Sequence, residues 1–312
     1  MAELGPRLVH IVDEVPELDG VDDLTMVVTL SGFLDAGHAS ALAAQHLQDL
    51  ADGVVVATFD VDSLYDYRAR RPPVTFVHDH YEAYEAPRLN VRLLRDTGGT
   101  PFLLLRGPEP DIRWEGFAHA VREVVERFGV TRVVSLGAIP MAVPHTRPVA
   151  VTYHANDPSL LTGRSPWASE VRVPASAQAL LEVRLGEWGH DALGYVTHVP
   201  HYLAQMDFPP ASVVLLEQLE RGGRLTVDLT ALHRAAEECE EEIVAYLADH
   251  TEVADVVQAL EQQYDTFRRS EETGASLLAP DEPLPTGEDL GAQFEQFLAG
   301  LDDSDDTDGK QE

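Results

Sequence analysis

Residues Leu24–Leu50 read LTMVVTLSGFLDAGHASALAAQHLQDL, and this stretch decides the fold class. LTMVVTL (Leu24–Leu30) is a short apolar, β-branched run, the pattern of a strand buried on both faces. SGFLDAG follows, where Gly32 and Gly37 let the backbone bend tightly. An Ala/Leu-rich helix is expected from about Ala36 to Leu50. A buried strand that feeds a helix through a glycine turn is the repeating unit of an α/β protein.

The same alternation runs outward. GVVVATF (Gly53–Phe59), LNVRLLR (Leu89–Arg95), PFLLLRG (Pro101–Gly107), TRVVSLGAI (Thr131–Ile139), VAVTYHA (Val149–Ala155) and ALGYVTHVP (Ala192–Pro200) read as strands, with Pro101–Gly107 and Thr131–Ile139 central. Trp114–Phe128 carries Phe117, Val121, Val124, Val125 and Phe128 at helical spacing. Ala175–Gly189 and Ala211–Gly222 read as further helices, the second ended by Gly222 and Gly223. An α/β sandwich with a mostly parallel sheet is expected for residues 1–228.

Residues 229–272 read as an acidic helical region. Leu232, Ala236, Cys239, Ile243, Tyr246, His250, Val253, Val257, Leu260, Tyr264 and Phe267 form a heptad-like stripe, with a break expected at His250–Thr251. This region either lies on the α/β core or stands out as a partner-binding hairpin. A linker is expected over 273–285, an amphipathic helix over 286–301 and a disordered acidic tail over 302–312.

Charge narrows the function. The chain has 312 residues and a formal net charge of −32. Residues 235–312 hold 23 acids against 3 bases, so the C-terminal quarter carries most of the imbalance. Such a chain repels phosphate and anionic lipid, which argues against nucleic-acid binding. No apolar run approaches the ~18 residues of a membrane span. The start MAELGPRLVHIVDE carries acids where a signal peptide needs a basic and then an apolar stretch. The single cysteine, Cys239, excludes an internal disulfide and fits a reducing cytoplasm, the expected location.

The chemistry-bearing residues form scattered groups. Free N–H groups at the helix start after Ser31–Ser40 can hold an anion, or Asp35 can cap them. No Lys-Ser/Thr follows, so the turn is not a P-loop. DVDSLYDYRARRP (Asp60–Pro72) brings Tyr67, Arg68, Arg70 and Arg71 among three acids, as an interface clasp or a pocket rim would. His145 and Arg147 follow one strand, and His198 and His201 end another, where open α/β folds place their sites. Neither HExxH nor paired CxxC occurs, so no metal or cofactor is expected. Asp35, Arg68, His145, Arg147, His198 and His201 are the candidate pocket. Tyr67, Arg70, Arg71, Phe294 and Phe297 are the candidate interface, and no catalytic residue is assigned.

GFLDAG (Gly32–Gly37), LYDYRARRP (Leu64–Pro72), LLLRGPEPDIRW (Leu103–Trp114), LGAIPMAVPHTRP (Leu136–Pro148), HVPHYL (His198–Leu203) and ALEQQYD (Ala259–Asp265) occur in this order. Together they resemble the proteasome assembly chaperone family, in the bacterial branch related to assembly chaperone 2. That resemblance implies a three-layer α/β/α sandwich with a mostly parallel or mixed sheet, similar to purine nucleoside phosphorylases, plus a C-terminal helical extension. It also implies a non-enzymatic binding or assembly protein that acts through protein contacts, as a homo-oligomer. The alternative is an enzyme or small-ligand binder with a phosphorylase-like pocket. Chaperones of this family often dock through a C-terminal hydrophobic–Tyr–any motif. A proteasome-related protein partner is among those the resemblance implies, although the end Lys310-Gln311-Glu312 lacks this docking motif.

Overall fold

The strand β2 (Leu24–Ser31) lies near the middle of an eight-stranded sheet, and its side chains alternate between two apolar layers. Met26, Val28 and Leu30 enter one layer and Val27 the other, as the two-residue period of a strand requires. The computed structural model describes residues 7–32, 35–50, 52–164 and 170–273. The remaining strands of the sheet are β1 (Val9–Ile11), β3 (Val54–Phe59), β6 (Asn90–Arg95), β7 (Pro101–Pro108), β8 (Val130–Met141), β9 (Val151–Ala155) and β10 (Asp191–Pro200). Their order is β1-β3-β6-β7-β2-β8-β10-β9. The central four, β7, β2, β8 and β10, are parallel to one another, while β6 and β9 flank them antiparallel. The sheet is therefore mixed.

Helices cover both faces. α2 (Trp114–Phe128) and α3 (Ala177–Glu187) bury Phe117, Val121, Val124, Leu181 and Leu185 in one layer. α1 (Ala39–Asp49) and α4 (Pro209–Gly223) bury Ala43, Leu47, Leu215, Leu216 and Leu219 in the other. This is the three-layer α/β/α sandwich. Gly222 does not end α4, because the helix closes on Arg224 in the left-handed region. A Cβ on Gly222 would collide with the Tyr195 hydroxyl, so glycine serves the close approach of helix to sheet.

The acidic region forms two helices, α5 (Thr230–Asp249) and α6 (Thr251–Thr273), parted at His250. Leu232, Ala236 and Ile243 of α5 belong to the apolar cluster of α1 and α4, which places α5 on the core. The chain divides into two compact units, Met1–Glu261 and Gln262–Glu312. Within the second, Arg269 bonds the Asp265 carbonyl along α6. The expected linker beyond Thr273, the amphipathic helix with Phe294 and Phe297, and the acidic tail lie outside the described residues.

A two-stranded ribbon, β4 (Thr75–Val77) and β5 (His80–Glu82), pairs with nothing in the large sheet. The sequence reading did not include it, nor β1. Each strand is three residues long, too short for a hydrophobic period to show.

Candidate functional site

The parallel strands β7, β2, β8 and β10 deliver their C-terminal ends to one edge of the sheet. β2 leads through α1 toward β3, while β8 leads through α3 toward β10 on the opposite side. Such a divergence opens a crevice outside the strand ends. The loops at this edge carry Asp35, Arg68, His145, Arg147 and His201, while His198 lies within β10.

The loop after β2 bends through Gly37, φ +64°, with the Gly37 amide on the Ala204 carbonyl and its own carbonyl on the Phe208 amide. The Asp35 carboxylate accepts from the Ser40 and Ala41 amides at 2.8 and 3.0 Å. It thus occupies the first turn of α1, where an anion would otherwise sit. Opposite, the Glu109 carboxylate at the end of β7 accepts from the Ala177 amide at 2.6 Å, and Ser176 Oγ accepts from Ala179. The first turn of α3 is therefore also filled from within. Glu109 presses against Gly32, where a Cβ would clash with it.

Arg70 ties the strand ends together. Its guanidinium meets Asp111 at 2.8 Å, the Glu109 carbonyl at 2.5 Å and the Ser31 carbonyl at 3.4 Å, and it stacks 4.6 Å over the Tyr65 ring. Asp111 also accepts the Asp66 amide at 2.7 Å. Three of the motifs read in the sequence thus meet at one internal clasp. Arg68 and Arg71 remain exposed. Tyr67 donates to Asp62 at 2.6 Å, and that bond pushes its phenol up to about 12.

His145 and Arg147, after β8, come together with two residues that the sequence reading did not single out. The Tyr202 hydroxyl accepts the His145 amide at 3.0 Å and lies 2.7 Å from His145 Nδ1. The Tyr202 hydroxyl thus holds both the backbone amide and the imidazole of His145. Burial lowers the His145 pKa, partly offset by Glu261 and Glu240, and raises that of Tyr202. Arg147 Nη1 stands 3.4 Å from Glu261 Oε1, and the Thr146 hydroxyl donates to the same carboxylate. Tyr202 stands in HVPHYL and Glu261 in ALEQQYD, so both motifs carried the signal. The pairings themselves span 57 and 114 residues.

The other histidines go elsewhere. His198 is buried, its Nε2 2.8 Å from Thr152 Oγ1, and burial alone lowers its pKa. His201 is exposed and sets its ring edge-on to Tyr202. Cys239 has a pKa raised by burial and then by Glu242, Glu240 and Asp207, which makes a poor nucleophile. Among the described residues no group of three acidic, His or Cys side chains could hold a metal, and no helix is long and apolar enough to cross a membrane. Chemically, the edge offers donors and hydrogen-bonded ion pairs.

Residues 29–247 match the family model described as the PAC2 family. Among solved structures, a Mycobacterium tuberculosis protein of unknown function is 46% identical, with TM-score 0.82, over 86% of this chain and 92% of that one. A PAC2 family protein from Streptomyces avermitilis is 30% identical, with TM-score 0.65, over 75% of this chain and 100% of that one. A proteasome-assembly chaperone homologue from Mycobacterium tuberculosis is 28% identical, with TM-score 0.67, over the same shares. No curated protein matches the chain.

Proposed function

The chain belongs to the PAC2 family, and on that premise we propose that it is a chaperone-like binding or assembly protein that works through protein–protein contacts. It acts as a homo-oligomer in the cytoplasm and has no catalytic step of its own. A proteasome-assembly chaperone homologue of similar fold and sequence supports the reading. The observation that carries it is the state of the strand-end edge. Asp35 and Glu109 fill the two helix starts where a phosphate or carboxylate ligand would be held. Around them the candidate pocket residues take separate contacts: Asp35 a cap, His145 a tyrosine, Arg147 a glutamate, His198 a half-buried threonine. A catalytic pocket needs such groups convergent on one reacting atom.

The competing reading is a phosphorylase-like pocket, and a thermal-shift series separates the two. Purine nucleosides with inorganic phosphate, at millimolar concentration, are expected to leave the melting temperature within a degree. A ligand at about 100 times its Kd stabilises by about 2.7 kcal/mol. A rise of several degrees, or nucleoside turnover, would overturn the proposal.

A further inference from the structure

The ribbon β4–β5 stands apart from the rest of the surface. Phe76, Tyr81 and Tyr84 are 59%, 72% and 55% exposed, and the Phe76 and Tyr81 rings meet at 5.0 Å. Tyr84 reaches Tyr67, which in turn packs edge-on to Tyr65 at 5.0 Å. Aromatic rings thus stand on the ribbon and, separately, where it meets the clasp loop. The ribbon closes on itself through the Glu85 amide and the Pro73 carbonyl, 3.1 Å. A lone two-stranded ribbon is marginal in water, so this one gains most by being covered.

Its root is cationic. Arg68 and Arg71 precede the ribbon, Arg88 follows it, and all three are exposed. Among the described residues none of these guanidinium groups makes a hydrogen bond or ion pair. By contrast, Arg7, Arg70, Arg122, Arg147, Arg184 and Arg224 each meet a carboxylate. The ribbon's own acids Asp79 and Glu82 lie on His80, at 3.0 and 3.7 Å. Exposed Tyr, Phe and Arg together are the composition of an interface centre.

The complement is on the same chain. The solvent side of α5 carries exposed Glu237 and Glu241 one turn apart, followed on that stripe by Val244 and Ala248. Small apolar residues beside a carboxylate pair give rings a flat seat and arginines a partner. We propose that the ribbon of one copy, with Arg68 and Arg71, docks on the outer face of α5 in a second copy. The two surfaces differ, so the contact is heterologous and closes into a ring or extends. This takes up the self-association in the proposed function and names its surfaces.

Charge reversal with light scattering tests it on the full chain. The wild type is expected to be multimeric at micromolar concentration, with dissociation promoted by salt. Arg68→Glu with Arg71→Glu, and separately Glu237→Arg with Glu241→Arg, are each expected to weaken association at least about tenfold. All four changes together are expected to restore it. Phe76→Ser with Tyr81→Ser should lose association while circular dichroism and melting of the folded monomer stay unchanged, which separates docking from misfolding. A multimeric wild type indifferent to these changes overturns the pairing alone. So does failure of the four-fold variant to recover when both reversals dissociate. A monomeric wild type overturns both the pairing and the self-association.

Discussion

Asp35 shows how a residue can look like a ligand group and serve as a cap. It stands four residues ahead of Ala39, the start of α1, and the Gly37 bend folds it back over the first turn. Asp35→Ala should cost about 1–2 kcal/mol of stability, read as a lower urea midpoint; an unchanged midpoint would mean the cap is idle. His198 gives a pH signature. Its folded pKa lies below the ordinary 6.5, so the unfolded chain binds the proton more readily. The stability His198 contributes is present above about pH 6.5 and is lost as pH falls from there toward the lowered folded value. His145 acts in the same direction. His198→Gln should flatten the loss of stability between pH 6.5 and 5; an identical slope would show that His198 is solvated. At this scale the sequence was a partial guide. It placed His145 and Arg147 after one strand and Asp35 after another, and the structure has them after β8 and β2. It quoted the motifs that hold Tyr202 and Glu261 without singling out either residue, because pairing across 57 and 114 residues leaves no local period.

Elements were more legible, for a physical reason. β2, β7, β8 and β10 are buried on both faces, so their apolar runs mark them directly. The stripe on α2 and the break at His250 also read correctly, since a buried helical face and a helix restart each have a sequence pattern. The ribbon escaped because its residues are exposed and its turn is His78-Asp79, with His78 at φ 51°, where asparagine and glycine would be the signal. The sequence left open whether the acidic helices dock or project. Ile243 of α5 is 7% exposed inside the α1/α4 cluster. Ile243→Ala should therefore cost about 2–4 kcal/mol in thermal or urea unfolding. A wild-type midpoint would mean α5 swings free of the core.

For the molecule as a whole, charge and packing divide the work. The sandwich has apolar layers on both faces of its sheet, and several of its arginines meet carboxylates. The negative excess is concentrated in the C-terminal quarter, on α5, α6 and the segment beyond. An excess of this kind keeps copies apart except where exposed arginines and rings meet it, which favours a few specific protein contacts over general adhesion. The sequence stretch 286–301, with Phe294 and Phe297, is proposed to recognise a partner. The central claim, action through protein contacts, is tested most directly by crosslinked affinity capture of the full chain from its producing cells, quantified by mass spectrometry. The parallel sample carries Phe294→Ala and Phe297→Ala at wild-type melting temperature. The account predicts a protein other than the chain itself, enriched with the wild type and depleted at least about tenfold with the variant. Recovery of the chain alone from both samples would contradict it.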